Sequence, residues 1–115
     1  MSLLSLSVAV HQSTGAPVVR LAGEVDVTTR GLEVVLGVLA AKRPRLLLVD
    51  VSALAFIDCA ALGVVLRARR ELGAAGCELA LAGPSGEVAR LLDLTGAGQV
   101  TQVYASADEA AAAAC

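Results

Sequence analysis

Aromatic side chains are nearly absent from this chain, which has one Tyr, one Phe and no Trp among 115 residues. A hydrophobic core must therefore come from the Leu, Val and Ala that dominate a 57% hydrophobic composition. Without aromatic residues beside its basic groups, the chain has no platform on which nucleic acid bases could stack. The net charge of −2 gives no electrostatic attraction to nucleic acid or to an anionic membrane. We therefore expect neither nucleic acid nor a membrane surface as a partner.

Metal-ligating residues are also scarce. The three cysteines, Cys59, Cys77 and Cys115, are irregularly spaced, and His11 is the single histidine. This spacing fits neither a disulfide framework nor a zinc site of paired cysteines. The sequence therefore predicts no metal site, no cofactor and a reducing compartment.

Targeting segments are missing as well. The N-terminus shows no basic leader with a short apolar core, and no window approaches ~18 uncharged apolar residues. The length suits one domain with a core of ordinary size. We expect a cytoplasmic protein in which residues 1–115 form a single domain.

Periodic patterns in the first half of the chain predict a hairpin followed by a helix and a buried strand. Apolar residues alternate with polar or small ones over 4–10, and a turn cluster separates this strand from a second over 17–22, so the two should pair antiparallel. Helical spacing of leucine and valine predicts a helix over 28–41. The near-continuous apolar run 46–51 is typical of a strand inside a parallel sheet.

The second half continues the alternation of helices and strands. The elements predicted are a helix starting at Asp58, a strand over 77–82, a helix opened by Pro84 and Ser85 and ended by Gly96, a strand over 99–104, and an alanine-rich helix that begins after Ser106. The order is ββαβαβαβα. It predicts an α/β fold whose central sheet is mostly parallel, with an antiparallel N-terminal strand and covering helices.

Asp58 and Cys59 stand where a strand gives way to a helix. In such sheets functional groups gather at the carboxyl ends of strands, and a helix start offers unpaired N–H groups and a partial positive charge. The position suits an anion, a phosphorylated side chain or an activated thiol. The alternative is that Asp58 only caps the helix and Cys59 is a small packed residue.

The helix after Asp58 also presents a second candidate surface. A step of ~100° per residue places Cys59, Gly63 and Arg70 opposite the core stripe, together with Leu62 and Leu66. Two leucines beside a glycine form a modest apolar patch that another protein could bind. The alternative is that both leucines tuck under neighbouring loops.

Catalysis has little support. Glu24 and Asp26 lie two residues apart at a strand end, but no histidine or lysine is placed near them by the sequence. Cys59 has no assignable base and no resolving cysteine. We expect a protein that is not an enzyme.

Taken as an ordered set, these segments resemble the STAS-domain family, and within it the bacterial anti-sigma factor antagonists. The resemblance covers nearly the whole chain and rests on the stretches 21–26, 48–52 followed by 56–58, 62–64, 79–85 and 91–96. It implies the fold described above. It also implies transcription regulation by partner switching, in which such a protein binds an anti-sigma factor that is a GHKL-type serine kinase and so frees a sigma factor. The kinase ends binding by phosphorylating a serine in an Asp-Ser-(Ser/Thr)-Gly-Leu motif, and a phosphatase resets it.

The resemblance assigns roles position by position. Asp58 matches the aspartate of the motif, Cys59 the phosphorylated serine, Ala60 the following hydroxyl residue, Ala61 the glycine and Leu62 the leucine. Glu24 and Asp26 match the acidic pair of the family's first loop, which lies near the partner. The implied partner-binding set is Glu24, Asp26, Asp58, Cys59, Ala60, Ala61, Leu62, Gly63 and Leu66.

The departures from the motif alter the expected behaviour. Cysteine is not a substrate for such a kinase, and Ala60 offers no second hydroxyl. Because the switch depends on the charge of a phosphate beside Asp58, we expect no phosphorylation-dependent release at this site. The protein would then bind its partner constitutively or escape the kinase altogether, and the methyl group of Ala61 could weaken close docking. Two alternatives keep the fold: a divergent module of a stress-signalling assembly, or a sensor of oxidation or of a small ligand through Cys59.

Overall fold

The computed structural model describes residues 5–11, 14–25, 29–57 and 59–114. Within these residues the elements are, in chain order, β1 (Ser5–Val10), β2 (Pro17–Val25), α1 (Thr29–Ala41), β3 (Leu46–Ile57), α2 (Cys59–Ala74), β4 (Glu78–Ala82), α3 (Gly86–Thr95), α4 (Ala97–Val100), β5 (Gln102–Tyr104) and α5 (Ala107–Ala114). The strands form one sheet in the order β1-β2-β3-β4-β5. β1 and β2 pair antiparallel and every other neighbouring pair is parallel, which confirms the predicted fold class.

The predicted element order needs one correction, between α3 and β5. A strand was expected over 99–104, but 97–100 form the short helix α4 and β5 begins only at Gln102. Gly96 explains the difference. It adopts the left-handed conformation (φ 74°) that ends α3, as predicted, and its carbonyl accepts a 3.0 Å hydrogen bond from the N–H of Gln99, so the chain turns directly into another helical turn.

One face of the sheet carries most of the core. Alternate residues of β2, β3 and β4 meet the apolar stripes of α1, α2 and α3, and the short helix α4 adds Ala97. The buried side chains on this face are mainly leucine and valine, as the scarcity of aromatic residues requires. The predicted stripe of α2 is buried as expected: Ala61, Val64, Val65, Ala68 and Leu72.

In the part of the chain that the structure describes, α5 is the one helix that covers the opposite face. Ala110 and Ala111 pack on Val18, Leu48 and Ala80 of the sheet. The predicted helix start is present, because the N–H of Glu109 donates a 3.1 Å hydrogen bond to Ser106 Oγ. Since α5 is short and presents only alanines, the part of this face that lies over β1 stays open: residues 7 and 9 are exposed.

β3 is twice as long as the predicted strand, because it continues from Val51 to Ile57. Its pairing with β2 shifts register twice, between Arg20 and Ala22 and again between Gly23 and Glu24. Each shift places an extra β3 residue in the ladder, which is the signature of a β-bulge. The bulges break the two-residue alternation, so Leu54 and Ile57 are both buried although they lie three residues apart. The strand predicted from the apolar run 46–51 therefore ends too early.

Candidate functional site at the start of α2

The carboxyl ends of the parallel strands β2 and β3 lie side by side. Glu24 pairs with Phe56 and Val25 pairs with Ile57, and α2 begins two residues later at Cys59. Neighbouring strands lie about 4.8 Å apart, so the backbone of Glu24 is close to the start of α2. The sequence prediction that Glu24 and Cys59 share this end of the sheet agrees with the register. Asp26 and Asp58, two further residues of the predicted site, lie outside the described residues.

The first turn of α2 presents small side chains to solvent. Cys59 and Ala60 are exposed, and Gly63, one turn later, is half-buried. Leu66 is also half-buried, because part of its side chain packs against the main core. The structure therefore places the Cys59 thiol at the helix start and accessible to a second molecule.

Two residues of the predicted partner surface are buried. Leu62 is only 4% exposed and belongs to the main core, so the prediction that it lies on the outward face of α2 is wrong. At ~100° per residue Leu62 lies about 60° from Cys59, at the border of the face that packs on the sheet, and the buried arc is wide enough to include it. Ala61 is fully buried as well. Neither side chain can touch a partner unless α2 moves.

Phe56 is a surface feature that sequence reasoning missed. The single phenylalanine of the chain is 42% exposed at the end of β3, three residues before Cys59. The adjacent bulge lets Phe56 and Ala55 both face solvent while Ile57 remains buried. A signal was present, because the one Phe of an aromatic-poor chain stands two residues before Asp58, where the motif begins. We define the α2-start surface as Phe56, Cys59, Ala60 and Gly63.

A polar cluster lies on β2 and β3, and both bulges separate it from the α2-start surface. Asp50 is buried, and its Oδ1 accepts hydrogen bonds from the hydroxyl of Ser52 (2.6 Å) and from the Ser52 N–H (3.0 Å). Arg20 Nε donates a longer bond of 3.4 Å to Asp50 Oδ2. Burial alone would raise the pKa of this carboxyl, but the two Ser52 bonds and the Arg20 charge together lower it below its ordinary value. Asp50 is therefore a buried, ionised group that fixes the strand beside the first bulge.

The end of β4 packs tightly against the same cluster. Gly83 has φ +72°, and a β-carbon placed on it would lie 2.7 Å from Ser52 Cβ. Its N–H donates a 2.9 Å hydrogen bond to the carbonyl of Tyr104. Only glycine can hold both the left-handed backbone and this contact. Gly83 thereby sets how closely β4 approaches the bulged part of β3.

The described residues offer little for metal or disulfide chemistry. Among them, no group of three or more His, Cys, Asp or Glu side chains is arranged to hold a metal ion. Cys59 and Cys77 flank the 16-residue helix α2, which is about 24 Å long, so they cannot bond to each other within one chain. No helix in the described part of the chain has the length and apolar character needed to cross a membrane.

Comparison with known proteins gives one family and a group of related structures. The family model of the STAS domain matches residues 7–110. No match to a curated protein sequence reaches significance. The crystal structure of an anti-sigma factor antagonist from Mycobacterium paratuberculosis is similar at 26% identity and a TM-score of 0.86, covering 97% of this chain and 94% of that one.

Two further structures describe one antagonist, SpoIIAA, in two chemical states. The unphosphorylated form is 24% identical with a TM-score of 0.75, and the match covers 94% of this chain and 92% of that chain. The phosphorylated form, from Bacillus, is 23% identical with a TM-score of 0.68, covering 94% and 96%. At these identities the two structures support the fold.

Proposed function

Because the chain belongs to the STAS-domain family, we propose that it is an anti-sigma factor antagonist that binds an anti-sigma factor kinase through the α2-start surface. The observation that carries the proposal is the position of Cys59. It is exposed as the first residue of α2, close to the carboxyl ends of β2 and β3. The similar antagonist of 26% identity supports the same role over nearly the full length. Binding would free a sigma factor and so regulate transcription in the cytoplasm, with no catalysis by this chain.

The α2-start surface suits a protein partner better than a small molecule. It combines an exposed aromatic ring on Phe56 with the small side chains of Cys59, Ala60 and Gly63, which let another backbone approach closely. Aromatic residues are enriched among the groups that dominate binding energy at interfaces. The backbone of Glu24, near the end of β2, lies beside this surface.

We further propose that this antagonist lacks the phosphorylation switch of the family. A phosphoserine carries a charge of ≈ −1.5 to −2 near pH 7, and at this position it would stand beside Asp58 and repel the partner. The thiol of Cys59 is not a phosphoacceptor for a serine kinase, and Ala60 has no hydroxyl to replace it. The bound state would then be set by the concentrations of the two proteins.

Binding is tested with purified GHKL-type anti-sigma kinases encoded by the same genome. We expect at least one of them to bind the wild-type chain in isothermal titration calorimetry, and ATP to leave the affinity unchanged. Cys59→Asp, which places a permanent charge at the helix start, should weaken binding at least about tenfold. If no such kinase binds, or if Cys59→Asp binds as well as wild type, the proposal fails.

The missing switch is tested by restoring it. The triple variant Cys59→Ser, Ala60→Ser, Ala61→Gly rebuilds the family motif, and the single variant Cys59→Ala is the matched control without a hydroxyl. Incubated with the bound kinase and ATP, the triple variant should gain one phosphoryl group by intact-mass spectrometry, whereas wild type and control should gain none. Stoichiometric phosphate on the wild-type peptide that contains Cys59 contradicts this part of the proposal.

A thiol sensor is the second candidate, favoured by the exposure of Cys59. Cys77 is half-buried at the other end of α2, so it cannot pair with Cys59 of the same chain, and oxidation of Cys59 could give a sulfenic acid or a mixed disulfide with a small thiol. Labelling with a thiol-reactive dye, read by peptide mapping, compares the two cysteines directly. A sensor requires Cys59 to react faster than Cys77 and requires glutathionylated protein to lose kinase binding. Equal binding before and after glutathionylation removes this candidate.

A further inference from the structure

β1 is an edge strand with one unpaired side. It pairs with β2 along all six of its residues, and within the described residues no strand lies on its other side. Every second residue of an edge strand directs its N–H and C=O away from the sheet, and such a row of donors and acceptors is a template for another strand. The outer side of β1 is therefore equipped to bind extended backbone.

The usual protections of an edge strand are missing from β1. Its sequence, 5–10, contains no charged residue and no proline. Its register with β2 runs without a shift from Ser5 to Val10, so no bulge twists the edge away. The opposite edge of the sheet differs, because β5 has only three residues and leaves little backbone to pair.

The side chains of β1 are also uncovered. Residues 7–10 are all exposed, and Val8 and Val10, which share one face, are 49% and 64% exposed. Val8 lies opposite Val19, which is fully buried, so the face that bears Val8 continues the apolar face of the sheet beyond the helices that cover it. A strand added to this edge would extend that apolar face.

We infer that the occupant of this edge is β1 of a second copy of the chain, paired antiparallel to give a continuous ten-stranded sheet. Charge favours this occupant, because two copies of an uncharged strand meet without the repulsion that a charged edge imposes on itself. A second copy also offers an equal stretch of exposed valine for the same face. This inference stands independently of the proposed function, because it uses the outer side of β1 and not the start of α2.

Symmetry limits the register of such a pair. A two-fold axis perpendicular to the sheet keeps equivalent faces on the same side, so residues of the same parity must stand opposite each other. Two central registers obey this rule, one with Ser7 and one with Val8 on the axis. The second sets the exposed Val8 side chains of the two copies opposite each other, with Ser7 opposite Ala9, and is the register of the inferred pair. Side chains that stand directly opposite each other interact most strongly, and like charges there are destabilising.

The test is the association of the whole chain in analytical ultracentrifugation. Six-residue edges form an interface below the standard size, so we expect a reversible dimer that appears as the concentration rises from about 1 µM to about 300 µM. Val8→Lys and Val8→Glu should each weaken the dimer at least about fivefold, because like charges then face each other across the axis. An equimolar mixture of the two variants should restore it, since opposite charges now meet.

Two measurements separate pairing of β1 from other effects. Val38→Lys changes a valine of similar exposure (54%) on α1 and should leave the dimer dissociation constant unchanged, while circular dichroism checks that all variants fold. Hydrogen exchange in wild type should slow in the β1 peptide as concentration rises. The inference is overturned if wild type stays monomeric over the whole range, as it would if this edge serves an extended segment of another protein. A dimer that tolerates Val8→Lys as well as it tolerates Val38→Lys also overturns it.

Discussion

Ser52 lies two residues after Asp50 on β3 and donates two hydrogen bonds to the same carboxylate oxygen, from its hydroxyl at 2.6 Å and from its N–H at 3.0 Å. The first register shift between β2 and β3 directly follows the position at which Arg20 pairs with Asp50. An unmatched residue in a ladder leaves its backbone groups without a strand partner. The Asp50 carboxylate supplies an acceptor to Ser52 at that point, which explains a charged residue in an otherwise apolar strand.

Asp50→Asn should destabilise the protein by about 1–3 kcal/mol at pH 7, because the buried Asp50 side chain then no longer offers Ser52 and Arg20 a charged acceptor. The measurement is urea unfolding followed by circular dichroism. Asp93→Asn is the matched control, since Asp93 is exposed on α3 and its removal should change the free energy of unfolding by less than about 0.5 kcal/mol. Equal effects of the two substitutions would show that the Asp50 cluster adds nothing.

The stability difference between wild type and Asp50→Asn should depend on pH. The pKa of Asp50 is lowered in the folded state from its ordinary value of 3.8, so the native carboxylate holds its proton less tightly than the unfolded one. Its contribution to stability is therefore complete above pH 3.8 and is lost as the pH falls through the lower folded-state pKa. The difference in unfolding free energy between wild type and Asp50→Asn should be constant at neutral pH and shrink in this acidic window. If this difference in unfolding free energy instead grows as the pH falls, the prediction is wrong.

Gly83→Ala should cost several kcal/mol, roughly 2–4, because a left-handed residue then carries a β-carbon within 2.7 Å of Ser52 Cβ. Thermal unfolding measures the loss. Gly76→Ala is the matched control: its φ is +79°, but nothing lies within 4 Å of the added carbon, so only backbone strain of about 1 kcal/mol remains. Similar losses for the two variants would mean that the contact with Ser52 is unimportant.

Leu62→Ala tests the burial of the one motif leucine. At 4% exposure in the main core, its truncation should cost about 2–5 kcal/mol of stability. Leu94→Ala is the control, because Leu94 is 73% exposed on α3 and should cost less than about 0.5 kcal/mol. Chemical denaturation in urea compares them. If Leu62→Ala folds as stably as wild type but loses partner binding, Leu62 acts at the surface after all.

The limits of sequence reasoning are clear from particular elements of this fold. The alternation of β1 predicted its antiparallel pairing with β2, and the apolar stripe of α2 predicted five of the residues that α2 buries, because each element follows one period throughout. β3 escaped prediction beyond Val51 because two bulges change its period, and those bulges arise from pairing with β2, which no local pattern encodes. The second bulge also lets the Phe56 side chain face solvent. Leu62 was assigned to the wrong face because helical angles give direction but not the width of the covering layer.

Phe56→Ala should weaken binding of the anti-sigma kinase by about tenfold to hundredfold, because the exposed ring is the largest apolar group on the α2-start surface. It should leave the fold intact, since 42% of the residue already contacts solvent. Titration calorimetry with the purified kinase measures the affinity, and thermal unfolding checks the fold.

Val100→Ala is the matched control for Phe56→Ala. Val100 is 53% exposed on α4, in the connection that leads into the first residue of β5, whereas Phe56 stands at the carboxyl end of β3. The amino and carboxyl ends of parallel strands lie on opposite sides of the domain, so a partner bound at the start of α2 should not reach Val100. Its truncation should therefore leave the affinity within about twofold of wild type. Equal loss of binding in both variants would place the kinase elsewhere on the domain, and normal binding by Phe56→Ala would remove the aromatic ring from the interface.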